Sequence, residues 1–518
     1  MVATFYDRFE VTWQDPADAN SVWAIDRIHF AQALAPLGYD FYEVIVRLGW
    51  EARTAFANGY LFLKDFRPPP TPTEVTEMGA QRIWREKYLP LVRQLCDEIR
   101  SLNYDSMTAP EIVAMLPAMF EKSGEAFRYP TVIASTFMAP AMQMAVFCQQ
   151  VLGDEGPVLA ATLLQGYNNV SAAAGAELGE LAEFASNHAD LADALKSHRW
   201  DGLESLPGGT EFMGRLSAFL DSFGWRADEW CLVHRPTWAE QPTVALELIG
   251  RYLADPEHSP ERAHQRAIEK RVTATAEIEA RLPAESKAKF HEMLDAALAH
   301  VPISEERALW QLIAIGSVRV PVLALGRKLV AAGVVNDAND AFFLRLDELQ
   351  NVASSPRPMQ ATIAERMADL VRYERMEPPQ SIGAPLIVDV RPGPSQIIHR
   401  YFFGTLAPPS DEHVIRGSGA SQGIVTGRAR IVRSLAESGR LEPGEVLVCR
   451  TTAPPWTPLF ALAAAVVTET GGILSHSAIC AREYGIPCVV GTQVATSRIP
   501  DGAMVTVDGN KGTVTIEE

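Results

Sequence analysis

The stretch TETGGILSHSAICAREYGIP, residues 468–487, decides how the C-terminal part of this chain folds. It places two glycines and a serine ahead of His476, and it predicts a helix from Ser475 to Tyr484. Ser475 is a typical N-cap, and Gly485 is a typical residue to end a helix. His476 would then stand in the first helical turn, where unpaired backbone N–H groups and the helix dipole favour an anion.

Short β-rich runs, separated by turns that contain glycine, surround this helix. They are GRARIV, GEVLVCR, AAAVVTE, PCVVG, AMVTVDG and GTVTIEE. Strands that alternate with turns and one helix predict a small α/β module over residues 415–518, called the C-terminal module below. Upstream, apolar residues recur three and four apart without convincing strand alternation, so residues 1–385 are predicted to form a large, mainly α-helical domain. The Pro- and Gly-rich residues 386–414 are predicted to connect the two.

Charge and composition exclude several classes of function. The formal charge is −18, from 46 basic and 64 acidic residues, which argues against nucleic acid as a partner. From Arg416 to the end, nine basic residues balance nine acidic ones, which suits a module that holds an anion. The apolar run 129–153 is interrupted by Pro130 and Pro140, so it predicts a buried helix rather than a membrane span. The chain is expected to be cytoplasmic, without a membrane partner.

The six cysteines form no CxxC pair and no cluster with histidine at the spacing of metal ligands. They are expected to be reduced thiols, and no metal site is predicted.

From the residues alone, two interpretations of His476 stay open. The first is a capping turn that happens to contain a histidine. The second is a histidine that carries a phosphoryl group, because neutral imidazole is a nucleophile near pH 7. A phosphorylated His476 would add about two negative charges at a helix N-terminus, which favours them.

The longer stretch TETGGILSHSAICAREYGIPCVVG resembles the phosphohistidine motif in the mobile domain of the phosphoenolpyruvate (PEP)-utilising enzymes. This family includes PEP synthase, pyruvate phosphate dikinase, rifampicin phosphotransferase and phenylphosphate synthase. GSGASQGIVTGRARIV and CRTTAPPWTPLF resemble the opening strands and a loop of the same domain. The resemblance covers residues 415–518 and implies a swivelling domain in which His476 is the phosphoryl carrier. It implies a phosphate cradle formed by Thr470, Gly471, Gly472, Ser475 and Arg482. For Arg482, pairing with Glu483 or capping a neighbour is an equal alternative.

Four segments of the helical region resemble the acceptor-binding domain of rifampicin phosphotransferase and its relatives. They are SVWAIDRIHFAQALAPL, LLQGYNNVSAAAGAELGELA, FGWRADEWCLVHRPTW and GRKLVAAGVVNDANDAFFLRLDEL. No glycine-rich phosphate loop of the form GxxxxGK[ST] precedes a helix, and no ATP-grasp domain or PEP-binding barrel is recognisable. The resemblance to phenylphosphate synthase, whose nucleotide-binding and histidine-carrying parts are separate polypeptides, implies that this chain binds no cofactor itself. ATP and Mg²⁺ are expected on a separate ATP-grasp protein.

Transfer of a phosphoryl group to a hydroxyl requires an apolar pocket, cations for the moving group and a base. His29 is the candidate base, with Asp26 to orient it, and Arg319 is the candidate cation. A structural role for each is an open alternative. The candidates for substrate binding are Phe137, Met138, Met142, Met144, Phe147, Arg226 and His234. For the apolar members of this set, core packing is the alternative.

The expected function is therefore that of the phosphohistidine-carrying, acceptor-binding subunit of a two-component, ATP-dependent phosphotransferase. The expected acceptor is the hydroxyl of a small organic molecule, a phenol or an aromatic alcohol. Two alternatives stay open: a non-catalytic phosphohistidine sensor that binds a partner, and a component of an antibiotic phosphotransferase of the rifamycin type.

Overall fold

The computed structural model describes residues 2–6, 9–13, 15–26, 29–30, 32–66, 69–167, 169–226, 232–256, 260–376, 378–384 and 413–517. The chain forms two compact units, each assembled from separate parts of the sequence. The first unit comprises Met1–Ser135, Arg226–Thr237 and Trp310–Val388, and the second comprises Thr136–Trp225, Trp238–Leu309 and Asp389–Glu518. The region predicted as one helical domain is divided between them. Of the predicted connector, residues 386–412 lie outside the described residues, so its role stays a prediction.

The first unit is mainly helical. Its helices are Pro36–Trp50, Thr73–Met78, Ala80–Ile83, Leu89–Arg100, the first part of Ala109–Leu152, the last part of Val301–Ser317, Arg319–Ala331, Leu346–Ser354 and Gln360–Glu374. A π-helical turn, Trp84–Tyr88, and the 3₁₀ turns Pro16–Asn20, Tyr104–Ser106 and Ala338–Phe343 complete its helical elements. Large side chains such as Phe41, Phe120 and Phe342 are buried in a common core.

The first unit also contains strands, which were not predicted from the sequence. Val2–Tyr6 and Phe9–Trp13 form an antiparallel hairpin. An antiparallel sheet has the strand order Arg53–Ala57, Tyr60–Lys64, Val22–Ile25 and Ser381–Gly383. These strands are only three to five residues long, and four consecutive residues of Tyr60–Lys64 are buried. The alternation of apolar and polar residues that predicts a strand is therefore too short or absent, so these strands were not predicted.

The second unit contains a layer of helices and the C-terminal module. Its helices before that module are the last part of Ala109–Leu152, Gly156–Thr162, Val170–Ser186, Ala189–Lys196, Gly209–Phe223, Thr243–Ala254, Pro260–Arg281, Ala284–Leu298 and the first part of Val301–Ser317. The 3₁₀ turns in this layer are Gly153–Glu155 and Leu203–Ser205. Ile278 and Phe290 of these helices are buried in one cluster with Ile473 and Leu474, so the helices and the module share a core.

The described residues of the C-terminal module form one eight-stranded sheet. Its order is Val414–Arg416, Thr513–Ile516, Met504–Asp508, Ile424–Ile431, Val446–Cys449, Ala465–Thr468, Cys488–Val490 and Ser418–Ser421. The four strands from Ile424–Ile431 to Cys488–Val490 are parallel, and the other neighbours are antiparallel. The module also has the helices His476–Glu483 and Ala495–Arg498 and the 3₁₀ turns Leu435–Arg440 and Pro454–Ala461. Each β-rich run predicted from the sequence coincides with a strand. The predicted fold class, a large, mainly helical region followed by a small α/β module, is confirmed.

Two helical stretches, Ala109–Leu152 and Ala284–Ala331, are long and apolar enough to cross a membrane, judged by length and composition alone. In the second, 83% of the most apolar window is buried inside the protein, as in a core helix. The expected location in the cytoplasm, without a membrane partner, stays a prediction.

Candidate active site

The helix His476–Glu483, called the histidine helix below, connects two parallel strands of the sheet. These strands are Ala465–Thr468 and Cys488–Val490, so the helix begins beyond the carboxyl end of a strand. Ser475 is the N-cap, and its hydroxyl accepts from the backbone N–H of Ala478 at 3.5 Å. The helix ends before Gly485, which has a φ of 64°. The predicted helix and its N-cap are confirmed.

The loop ahead of the histidine helix is fixed by backbone contacts. Gly471 has a φ of 95°, and a Cβ added there would lie 2.8 Å from Oγ of Ser475. Only glycine adopts this conformation without strain. The Thr470 hydroxyl donates to the carbonyl of Arg450 at 3.3 Å, and the carbonyl of Gly472 accepts from the Ser475 N–H at 3.0 Å. These residues shape the turn that presents the histidine; their contact with a phosphate stays a prediction.

The His476 ring is held by a carboxylate from a distant part of the chain. Nδ1 of His476 lies 3.0 Å from Oε2 of Glu305, and the exposed fractions of these two side chains are 6% and 5%. The Ser171 hydroxyl donates to the same oxygen of Glu305 at 2.6 Å. All three residues belong to the second unit. They form a buried chain of hydrogen bonds that ends on the ring of the predicted phosphoryl carrier.

Glu305 is ionised in this site. Burial by itself raises the pKa of its carboxyl, but the charge and hydrogen bond of His476 and the hydrogen bond of Ser171 outweigh that effect. The nearby charge of Arg307 acts in the same direction, and together these groups hold the pKa of Glu305 below its usual range. An ionised carboxylate only accepts hydrogen bonds, so the proton between the two side chains lies on Nδ1 of His476.

The other ring nitrogen faces the 3₁₀ turn Pro454–Ala461. Nε2 of His476 lies 3.3 Å from the hydroxyl oxygen of Thr457, and the single proton of that hydroxyl is donated to the carbonyl of Pro454 at 2.9 Å. Because Nδ1 carries the proton when the ring is neutral, Nε2 keeps its lone pair. The arrangement leaves Nε2 as the nucleophilic atom of His476.

Three potential metal ligands also meet here, although no metal site was predicted. Atoms of Glu305, His476 and Cys480 lie within 4.8 Å of one another. However, Sγ of Cys480 lies 3.6 Å from Nδ1 and 3.4 Å from Nε2, so it stands over the ring face rather than along a nitrogen lone pair. Burial, and then the charge of Glu305, raise the pKa of the Cys480 thiol. The position of Sγ over the ring face does not fit a metal ion shared by these three side chains.

Arg482 is buried and contacts backbone carbonyls. Its Nη1 donates to the carbonyls of Ala420 at 2.8 Å and Ile473 at 2.9 Å. These contacts tie the histidine helix to a neighbouring strand and to the preceding loop. They support the structural alternative for Arg482, whereas its contact with a phosphate stays a prediction.

A narrow cavity of about 20 Å³ lies beside Glu305, with room for about one water molecule. Its lining is Leu164, Gln165, Asn169, Val301, Ser304, Glu305, Leu474, Ile479, Arg482 and Glu483. The Glu483 carboxylate accepts from the backbone N–H of Gly166 at 2.8 Å. Burial raises the pKa of Glu483 to about 8, despite that hydrogen bond and the charge of Arg482. Two carboxyl groups with opposite pKa shifts therefore line one cavity.

Part of the predicted substrate pocket lies in the second unit. Met144 is fully buried, in the same cluster as Ile473 and Leu474, and Phe147 packs against that cluster. This supports the alternative of core packing for both residues. Met142 is half-buried in the same helix, and the side chains of Phe137 and Met138 lie outside the described residues.

The predicted base His29, the predicted cation Arg319 and two substrate-binding candidates, Arg226 and His234, lie in the first unit. His476 and Glu305 lie in the second. The guanidinium of Arg319 is buried; it donates to the carbonyl of Val233 at 2.7 Å and to Oδ1 of Asn339 at 2.9 Å. Arg226 is also buried. These positions favour structural roles for the two arginines.

The two histidines of the first unit differ. Nδ1 of His29 lies 2.8 Å from Oδ2 of Asp26, the hydrogen bond expected between a base and its orienting residue. His29 as the base for the acceptor stays a prediction. Burial, with the charges of Arg235 and Arg319, lowers the pKa of His234 to about 3, so this histidine is neutral and a weak base at neutral pH.

Glu305, Ser171 and Thr457 were not predicted from the sequence. By residue type Ser304 is a good N-cap with Glu305 in the first turn, but the helix begins at Val301 and Ser304 lies inside it. One signal was available. Glu305 stands among buried apolar residues such as Ile303 and Ala308, and an acid in that position requires a buried partner.

Comparison with known protein families matches both parts of the second unit. Residues 441–512 match the model described as PEP-utilising enzyme, mobile domain. Residues 129–305 match the model described as rifampicin phosphotransferase fourth domain. The resemblance found in the sequence is thereby confirmed, and the matched segments include Ser171, Glu305 and His476.

Several curated proteins are similar to this chain. Chondramide synthase cmdD from Chondromyces crocatus is 29% identical over 98% of the chain, which corresponds to 14% of that protein. The uncharacterized phosphotransferase YvkC from Bacillus subtilis (strain 168) is 33% identical over 61% of the chain and 37% of its own length. Rifampicin phosphotransferase from Streptomyces sviceus is 27% identical over 79% of the chain and 47% of its own length. The chain is thus related to phosphotransferases, and it spans less than half the length of each of these relatives.

Proposed function

We propose, from the premise that this chain carries the mobile domain of the PEP-utilising enzymes, that His476 transfers a phosphoryl group to the hydroxyl of a small organic molecule. The observation that carries this proposal is the ring geometry of His476. When the ring is neutral, an ionised Glu305 holds its proton on Nδ1 and leaves the lone pair on Nε2, at the mouth of a helix that favours anions.

The phosphoryl donor in this proposal is an ATP-binding unit outside these 518 residues. An ATP-grasp protein that holds ATP and Mg²⁺ would phosphorylate Nε2 of His476 and release AMP and phosphate, in the manner of the family. Each of these relatives is longer than this chain, so the part that the chain does not match has room for such a unit.

Movement of the C-terminal module forms part of the proposal. The His476 side chain is almost fully buried, and the adjacent cavity has room for about one water molecule. A nucleotide held by a separate ATP-binding unit does not reach Nε2 in this arrangement. The module would separate from the helices of the second unit to meet this donor and dock on them again for transfer to the acceptor, with residues 386–414 as the connector.

The proposed acceptor is a phenol or an aromatic alcohol. A rifamycin-type antibiotic is a second candidate, because the matched helical model and the Streptomyces sviceus relative both carry the name rifampicin phosphotransferase. A panel that contains simple phenols, aromatic alcohols and rifampicin separates these candidates.

The test combines the full chain, an ATP-grasp protein encoded beside it, Mg²⁺, ATP labelled in the β-phosphoryl group, and this panel. We expect an acid-labile, base-stable label on the chain and a phosphorylated acceptor in the mass spectrum. His476→Ala should lose both, whereas Ser477→Ala should keep the label. Acceptor phosphorylation by His476→Ala would overturn the proposal. A tight Mg²⁺-dependent ATP site in the isolated chain would overturn its two-component form.

A further inference from the structure

We propose that Glu305, held by Ser171, is a positioning residue that keeps a proton on Nδ1 of His476 while the C-terminal module is docked, so that the docked ring exchanges the phosphoryl group through Nε2. This inference rests on the proposed function, because it assigns a role in the same site. It adds a residue from the helical region to the machinery of the C-terminal module.

Two hydrogen bonds hold the Glu305 carboxylate in the site. Oε2 of Glu305 receives hydrogen bonds from Nδ1 of His476 at 3.0 Å and from the Ser171 hydroxyl at 2.6 Å. Ser171 and Glu305 are both more than nine-tenths buried. Moving an ionised carboxylate into such a position is unfavourable unless its partners are present. Its presence here therefore implies that Nδ1–H is a required donor.

A second helix supports this carboxylate. Ser171 lies in the first turn of Val170–Ser186, a helix of 17 residues. The buried Asn169 caps that helix, and its side chain accepts from the N–H groups of Ser171 and Ala172 at 3.0 and 2.9 Å. The cap fixes the position of the Ser171 hydroxyl, and the partial positive charge of the helix N-terminus stabilises the Glu305 carboxylate.

The geometry separates this role from that of a general base. Glu305 contacts Nδ1, whereas Thr457 stands on the Nε2 side of the ring. An acceptor hydroxyl attacks phosphorus beyond Nε2, in line with the breaking bond. The hydroxyl proton is therefore out of reach of Glu305, and the residue acts through the ring.

The proton on Nδ1 determines the leaving group. When the acceptor oxygen bonds to phosphorus, the bond between Nε2 and phosphorus breaks and its electron pair returns to Nε2. Because Nδ1 keeps its proton, His476 leaves as neutral imidazole rather than as an imidazolate anion. The hydroxyl proton of the acceptor passes to solvent, so atoms and charge balance without a further reactant.

Glu305 belongs to the helix Val301–Ser317 and not to the C-terminal module. Its contact with His476 exists only while the module is docked on the helices of the second unit. The pair therefore acts in the acceptor half-reaction. When the module has moved to its phosphoryl donor, Glu305 no longer contacts His476.

The experiment uses the full chain labelled with [¹⁵N]histidine, with His476→Ala to assign the ring signals by NMR. In the wild type we expect the proton of the neutral ring on Nδ1 of His476. In Glu305→Gln this tautomer should lose its dominance. Phosphoramidate, a small donor that needs no partner protein, should phosphorylate the wild type at Nε2. Glu305→Gln should react at least about tenfold more slowly and give a mixture of isomers.

Two further variants keep the result interpretable. Glu183→Gln changes an exposed acid of the helix that carries Ser171, and should behave as the wild type. Ser171→Ala keeps the carboxylate but removes its donor, and should slow the reaction about three- to fivefold; it serves as the second test if Glu305→Gln fails to fold. An unchanged tautomer and an unchanged isomer in both Glu305→Gln and Ser171→Ala would overturn the inference. A failure of the proposed function is distinguishable from this outcome. Acceptor phosphorylation would then survive in His476→Ala, whichever tautomer His476 adopts in the wild type.

Discussion

Oε2 of Glu305 lies 3.0 Å from Nδ1 of His476, although 171 residues separate the two in the sequence. One residue stands on a helix of the region that matches the rifampicin phosphotransferase fourth domain, and the other begins the histidine helix of the mobile domain. Their contact joins the two matched regions at the atom that the proposed chemistry depends on. It also gives a means of separating the two half-reactions.

Glu305→Gln should impair only one half-reaction. Labelling of His476 by ATP and the ATP-grasp protein should proceed at nearly the wild-type rate, since Glu305 does not accompany the module. Loss of the label to an acceptor should be at least about tenfold slower, because the imidazole is then a poorer leaving group. Single-turnover measurements of label gain and label loss check this. Equal slowing of both steps would show that Glu305 stays with His476 throughout the cycle.

Ser475→Ala should weaken the histidine helix without abolishing transfer. The Ser475 hydroxyl caps the helix through a long contact to Ala478, 3.5 Å, so the loss should be about 0.5–1 kcal/mol in the free energy of unfolding. Ser434→Ala is the matched control, because Ser434 is an N-cap of the same module whose side chain makes no capping hydrogen bond. Urea unfolding measures both. Equal losses in the two variants would assign no stabilisation to the Ser475 cap.

The sequence predicted the C-terminal module well because its signals are local. An N-cap serine, a glycine that ends a helix and short valine-rich strands lie within a few residues of the elements they define. The helix His476–Glu483 and the strands Ala465–Thr468 and Cys488–Val490 therefore appear where they were expected.

The partners of His476 could not be predicted in the same way. Ser171 and Glu305 act through contacts between segments that only the tertiary fold brings together. Local rules even favoured a different role for Glu305, as an acid in a first helical turn, because Ser304 is a good N-cap by residue type. In the structure, the helix continues back to Val301, and tertiary packing overrides the local preference.

Gly471→Ala should destabilise the protein by about 1–3 kcal/mol. The added Cβ requires a φ of 95° and lies 2.8 Å from Oγ of Ser475. Gly444→Ala is the control for backbone strain alone, because Gly444 has a φ of 84° and open space around its Cα.

Gly472→Ala should instead slow transfer, since a side chain there obstructs the N–H groups expected to face the phosphoryl. Thermal unfolding and label transfer separate these effects. A Gly471→Ala variant no less stable than Gly444→Ala would show that the loop absorbs the contact.

Glu483 should make stability depend on pH. Burial raises the pKa of its carboxyl from an ordinary value of 4.5 to about 8, so the folded protein binds this proton more tightly than the unfolded chain does. Between these pH values the unfolded chain has lost the proton while the folded protein keeps it. The free energy of unfolding therefore falls as the pH rises, by up to about 1.4 kcal/mol per pH unit from this group.

Glu483→Gln should remove that component, because Gln carries no proton to lose and still accepts from the Gly166 N–H. Urea unfolding at pH 6 and pH 8 should show a smaller decrease for Glu483→Gln than for the wild type. The exposed Glu183→Gln is the control and should follow the wild type. Identical decreases in all three proteins would mean that Glu483 ionises normally in the folded state.

Gly175→Ala should weaken the docking of the C-terminal module. At a helical position with free space around it, this change stabilises the protein by about 0.5–1 kcal/mol. Here the new Cβ would lie 2.4 Å from the Tyr484 hydroxyl, at the end of the histidine helix. Gly179→Ala, one turn along the same helix, meets only ordinary contacts of 3.8 Å and should stabilise. We expect faster amide hydrogen exchange in the histidine helix for Gly175→Ala and unchanged exchange for Gly179→Ala. Tyr484→Phe added to Gly175→Ala should restore most of the protection, because the hydroxyl that meets the new methyl group is gone. If the two alanine variants exchange alike, the contact between Gly175 and Tyr484 does not hold the module in place.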